Sequence, residues 1–147
     1  MRTFACLLLL ALATLPAPSR AQTASEPERV TVQHILIAFK GSVPDDPKVT
    51  RSKEDAEKLA LKVFERARAG EDFAAMVKMY TNDSYPGIYK MANKGIAYDK
   101  SKQEYPRTGM VPAFGDVSFG LPVGGIGLAV YNPATSKYGW HIIKRLE

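Results

Sequence analysis

The sequence predicts an α+β domain, with helices gathered around a small antiparallel sheet. Three observations carry that expectation. Near the front, VTVQHILIAF (residues 30–39) is β-branched and apolar on both faces, as a central strand covered from two sides would be. Two stretches that follow, between residues 50 and 81, carry apolar residues at helical spacing. The chain then closes on GGIGLAVY and YGWHIIKRLE, two strand-like runs joined by the turn NPATSK.

Not all of the 147 residues belong to that domain. Residues 1–21, MRTFACLLLLALATLPAPSRA, have a basic start, an apolar run from Phe4 to Leu15 and small residues before Gln22. This is the layout of a secretory signal peptide cleaved after Ala21. The apolar run is shorter than the ~20 residues a bilayer requires, so no stable membrane insertion is expected. The mature product is expected in a periplasmic or extracellular space. Cleavage removes Cys6, the only cysteine, so the mature chain has no disulfide and depends on its core. It also leaves 18 basic against 15 acidic residues, a mild +3 with no basic stripe, which gives nucleic-acid binding no support. Residues 22–29 are polar and read as a flexible leader, and residues 30–147 as a single domain.

Within that domain, GSVPDDPKV after the first strand is a loop, with two prolines and paired aspartates. Ser52 followed by Asp55 makes a capping-box start for a helix whose stripe is Ala56, Leu59, Ala60, Val63 and Ala67, stopped by Gly70. Phe73, Met76, Val77 and Tyr80 form the stripe of a second helix. Residues 84–109, rich in Gly, Pro, Tyr and Lys, show no sustained period and read as a long irregular loop, functional or mobile. VPAFGDVSFGL reads as a short helix ahead of the closing hairpin.

Several chemistries find no residues to support them. The two histidines, His34 and His141, lack the local spacing of metal ligands, so no metal is expected. The mature chain has no thiol, and no serine lies in a Gly-x-Ser-x-Gly elbow. The glycines at 124, 125 and 127 lead into a strand rather than a helix, so there is no phosphate loop, and no cofactor is expected. What stands out is that the only two imidazoles lie in the middle of the first and last strands. Side by side, they would satisfy each other's ring nitrogens.

Four segments then resemble one family in order and spacing: VQHILIAF, TRSKEDAEKLALKVFERARAGEDFAAMVKMYTND, GMVPAFGDVSFGLPVG and YGWHIIKRLE. Together they are similar to the parvulin-type peptidyl-prolyl cis–trans isomerases, over Val30–Glu147. The resemblance implies a single parvulin-like domain. It implies that His34 and His141 form a buried hydrogen-bonded pair beneath a catalytic site, with Asp83 at the position where the family carries cysteine or aspartate. Met110 and Phe114 match the proline pocket. The family's Gly-Asp-Leu-Gly-like motif is missing; Lys94-Gly95-Ile96-Ala97 is its nearest counterpart, which makes Ile96 the candidate third wall. Ser136 matches a hydroxyl residue that supports the histidine pair. The implied partner is a proline-containing polypeptide, bound by a monomer without cofactor. The loop after the first strand carries Asp45 and Asp46, which would repel phosphate, so no preference for phosphorylated substrates is expected. The alternatives are a non-catalytic peptide-binding or chaperone module on the same fold, and an unrelated exported binding protein.

Overall fold

A computed structural model describes residues 25–147; the expected signal peptide and Cys6 lie outside the described residues. The elements are β1 (Arg29–Ile37), α1 (Lys53–Arg68), α2 (Phe73–Tyr80), β2 (Ile88–Ala92), β3 (Glu104–Pro106), α3 (Pro112–Gly120), β4 (Ile126–Ala129) and β5 (Trp140–Arg145). The sheet runs β3-β2-β1-β5-β4, which makes β1 the central strand that its two apolar faces called for.

The alternation of side chains along β1 separates two cores. Ile35 and Ile37, with Trp140 and Ile142 of β5, pack under Ala56, Ala60 and Val63 of α1 and Phe73, Met76 and Val77 of α2. Val30 and Val32, with Met91, Ala129 and Ile143, pack under Phe114 and Phe119 of α3. The domain is therefore three layers, with α3 alone on its face. Both long helices start as their sequences specify. Ser52 Oγ accepts the Asp55 N–H at 3.0 Å and donates to the Asp55 carboxylate at 2.9 Å, while Asp72 accepts from the Ala75 N–H at 3.1 Å.

The α+β architecture is present, with two differences of detail. The sheet is mixed rather than wholly antiparallel, since β3 runs parallel to β2. Residues 84–109 are not an irregular loop: they contain both of those strands. β2 pairs antiparallel with β1 from Arg29↔Ala92 to Gln33↔Ile88. A five-residue strand set between Pro86-Gly87 and Asn93-Lys94-Gly95 is too short for periodicity to stand out from turn composition; its partner supplies the specification.

Residues 26–28, expected in a flexible leader, are tied down. Asn93 bonds the carbonyls of Pro27 and Glu28, at 2.9 and 2.8 Å, and the Glu26 carboxylate takes a 2.6 Å bond from the buried Arg107 guanidinium. Arg107 also holds Asp116 of α3, at 2.7 Å, and stacks over Phe119. At the same end of the sheet Thr31 exchanges backbone hydrogen bonds with Leu146 and Glu147. Among the described residues no helix is long and apolar enough to cross a membrane.

Candidate functional site

The register of the central strands brings the histidines together. Leu36 of β1 lies opposite His141 of β5, so His34, two residues away, shares its face on the diagonal. Their Nδ1 atoms are 3.3 Å apart, and both rings are buried.

The third member arrives through an unfinished edge. Beyond Gln33, β1 has no β2 partner, and its backbone groups must bond elsewhere. The connection from α2 to β2 supplies the partners. Thr81 Oγ1 accepts the Leu36 N–H, Asn82 Oδ1 the Ala38 N–H, and the Gly87 carbonyl the His34 N–H at 2.9 Å, while the Asn82 N–H donates to Leu36. Threading the chain along this edge sets Asp83 beside His34. Gly87 is required there: its φ is +68°, and a Cβ would stand 2.7 Å from the His34 carbonyl oxygen.

Asp83 Oδ2 accepts two hydrogen bonds, from His34 Nε2 at 2.9 Å and from the Tyr89 hydroxyl at 2.8 Å. The His34 bond, then the Ser84 amide and Tyr89, hold the Asp83 carboxyl well below the usual carboxylate range against the opposing pull of burial. Tyr89 moves up, because of burial first and the adjacent carboxylate second. Burial pushes the His141 imidazole down to about 3, with His34 adding to the effect.

These directions orient the protons. An ionised Asp83 only accepts, so the His34 Nε2–H donates to it. Among the described residues, His141 Nε2 is buried with no hydrogen-bond partner. An orphaned N–H there would be less tolerable than a bare lone pair, so the neutral His141 carries its proton on Nδ1 and donates to His34 Nδ1. The hydrogen bonds thus run in one direction, from His141 through His34 to Asp83.

Above this chain opens a cavity of about 400 Å³. Met110, Val111 and Phe114 line it, with Phe114 edge-on to His34 (ring centroids 5.1 Å apart) and to His141 (5.5 Å). Leu36, Val43, Pro44 and Tyr138 also line it, and Asn82, Asp83 and Tyr89 complete the wall. The arrangement is an apolar slot over a half-buried carboxylate hydrogen-bonded to a buried imidazole, suited to holding a small ring and setting the field at a carbonyl next to it.

Of the residues singled out in the sequence, His34, Asp83, His141, Met110 and Phe114 all meet here. Ile96 and Ser136 do not line the cavity. Ile96 lies in the turn after β2, its N–H on the Asn93 carbonyl, because residues 93–105 fold away to form β3. Ser136 is fully buried, and its hydroxyl is directed to the Gly139 carbonyl at 2.8 Å rather than to a histidine. Sequence reading missed Tyr89, which lines the cavity where Ile96 does not. Its signal, the alternation of Ile88, Tyr89, Lys90 and Met91, is lost among the neighbouring turn residues.

Comparison with known proteins identifies the family and the fold. The family model for the PPIC-type PPIase domain matches residues 19–147. Chaperone SurA of Pseudomonas fluorescens is 34% identical over 119 residues, covering 81% of this chain and 23% of SurA. Foldase protein PrsA of Caldanaerobacter subterraneus subsp. tengcongensis is 38% identical over 88 residues, covering 60% of this chain and 24% of PrsA. The chain therefore spans about a quarter of the length of these two relatives. The solution structure of TbPIN1 shares the fold, with a TM-score of 0.58 at 23% identity over 82% of this chain and 98% of that one.

Proposed function

The chain belongs to the PPIC-type, parvulin-like family of peptidyl-prolyl isomerase domains, and on that premise we propose that it catalyses cis–trans exchange of Xaa-Pro bonds in polypeptides, without covalent chemistry. The observation that carries the reading is the Asp83–His34–His141 chain lying under an apolar slot walled by Met110 and Phe114.

Rotation about the peptide bond is opposed by a barrier of roughly 18–20 kcal/mol, because resonance places negative charge on oxygen and double-bond character in C–N. At proline the two planar forms differ by only about 1 kcal/mol, so lowering the barrier is all the catalyst has to do. In the proposed mechanism the pyrrolidine ring enters the slot between Met110 and Phe114. The preceding carbonyl then faces Asp83. A fixed negative charge there disfavours the charge-separated planar form and so favours the twisted amide, whose oxygen carries less charge. The apolar wall excludes water that would otherwise stabilise the planar form. Burial and the hydrogen bond from His141 keep His34 aimed at the carboxylate.

Among the described residues no Lys or Arg lines the cavity, and Val43 and Pro44 reach it from the loop that also carries Asp45 and Asp46. Both points support unphosphorylated substrates. A non-catalytic chaperone module is the second reading. It is favoured by the departure of Ile96 from the expected pocket wall and by the chaperone and foldase names of the relatives. Export through residues 1–21 accompanies either reading, and the protein recovered from its cells is expected to begin at Gln22 by mass spectrometry.

NMR exchange spectroscopy on unphosphorylated Xaa-Pro peptides separates the two readings. Faster cis–trans exchange, lost in Asp83→Ala while the fold persists, supports the isomerase. Peptide shifts at His34 and Phe114 without faster exchange favour the chaperone module.

A further inference from the structure

The segment that departs from the family pattern, residues 93–106, holds an exposed aromatic ring on a fixed backbone. The Asp99 side chain accepts from the Ser101 N–H at 2.9 Å. The Glu104 carboxylate accepts from the Asp99 N–H at 2.9 Å and pairs with Arg29 at 3.2 Å, and Arg29 also bonds the Ala97 carbonyl. β3 is thereby fixed alongside β2, with Tyr105 opposite Met91. Opposed residues share a face, so Tyr105 lies on the α3 side of the sheet, the side of the cavity. Its ring is 5.8 Å from that of Tyr89, a cavity wall, yet it is 46% exposed. Tyr105 also lines a second cleft of about 400 Å³, together with Tyr98 and Gln103.

An aromatic surface therefore continues from Phe114 through Tyr89 to Tyr105 and on into that cleft. A polypeptide held by its proline over Phe114 would place a residue within three or four positions of that proline against Tyr105, since the two ring-to-ring steps of 5.8 Å each are covered by about three to four residues of extended chain at ~3.3 Å each. Tyr105 loses little freedom on contact because its backbone is already fixed, and aromatic side chains on rigid supports are efficient contact residues.

We propose that Tyr105, with Tyr89, forms a second subsite of the substrate track that takes a bulky apolar side chain flanking the Xaa-Pro pair. The proposal rests on the reading of the main cavity as a proline site. It gives β3 a role: the strand presents one ring beside the cavity wall.

The test uses two unphosphorylated Xaa-Pro peptides that differ only in a flanking Leu or Ser, titrated by NMR into the protein and into Tyr105→Ser. The wild type is expected to bind the Leu peptide roughly tenfold tighter, and Tyr105→Ser to bring the ratio within about twofold. Fluorescence of the single, buried Trp140 reports whether the variant folds. If it does not, intermolecular NOEs between the Tyr105 ring and the Leu methyl groups of the wild-type complex decide instead, their presence supporting the subsite and their absence overturning it. A ratio near one in the wild type, or an unchanged ratio in folded Tyr105→Ser, overturns the proposal. So does a Tyr105-dependent dimer in light scattering, which would assign the patch to a second copy of the chain. If neither peptide perturbs His34 or Phe114, the proline-site reading fails as well; if both do and only the ratio is flat, this inference alone fails.

Discussion

At the scale of single residues, His141 gives the site a measurable pH signature. Its imidazole titrates at 6.5 when exposed and is lowered to about 3 by burial, so between those values the unfolded chain binds a proton that the folded chain does not. Stability conferred by the neutral ring is therefore complete above pH 6.5 and declines as the pH falls toward 3. Urea unfolding at pH 5 rather than pH 7.5 is expected to show a loss of about 1–2 kcal/mol, and His141→Leu to flatten that slope. Asp83 adds a loss of the same sign further down, beginning below its ordinary value of 3.8, because its carboxyl too is held below that value in the fold. The residues of this chain were legible unevenly. His34 and His141 announced themselves as the only imidazoles, each mid-strand, and Asp83 came through family resemblance. Tyr89 and Asn82 did not, because a tyrosine and an asparagine among turn residues gain meaning only when the edge of β1 gathers them.

Elements were legible where one segment carried its own instructions. α1 and α2 have caps and stripes, and β1 has two apolar faces; all three formed where expected, within a residue or two at their ends. β2 and β3 were not, since they are short and owe their conformation to pairing and to side-chain braces such as Glu104 with Arg29. The same dependence marks the connection into β2 as the sensitive joint. Gly87→Ala would impose a left-handed backbone on a non-glycine residue and press a Cβ against the His34 carbonyl. It is expected to cost of order 1–3 kcal/mol in urea unfolding and to slow exchange of Xaa-Pro peptides, since the displaced group is the backbone of His34. An unchanged exchange rate in a destabilised variant would mean that Asp83 and His34 keep their geometry without that bond.

For the molecule as a whole, the two cores divide the labour. Ile35 is fully buried in the layer beneath α1 and α2, whereas Phe114 belongs to the α3 layer and lines the cavity. Ile35→Ala is expected to cost about 2–5 kcal/mol yet leave peptide affinity intact while the protein remains folded. Phe114→Ala should cost a comparable ~3–5 kcal/mol and weaken peptide binding as well. Calorimetry paired with peptide titration distinguishes them, and equal effects on affinity would contradict the division. That α3 would stand alone on its face was not readable from helix periodicity, which gives the apolar stripe but not the side of the sheet it meets. The hydrogen bonds between Thr31 and residues 146 and 147 carry one more consequence. The strand that opens the sheet and the strand that closes it come to the same corner, so polypeptide running in and polypeptide running out are neighbours there. A unit with that layout can be spliced into the connecting segment of a larger protein, or repeated along one, with little cost to its sheet or its cavity.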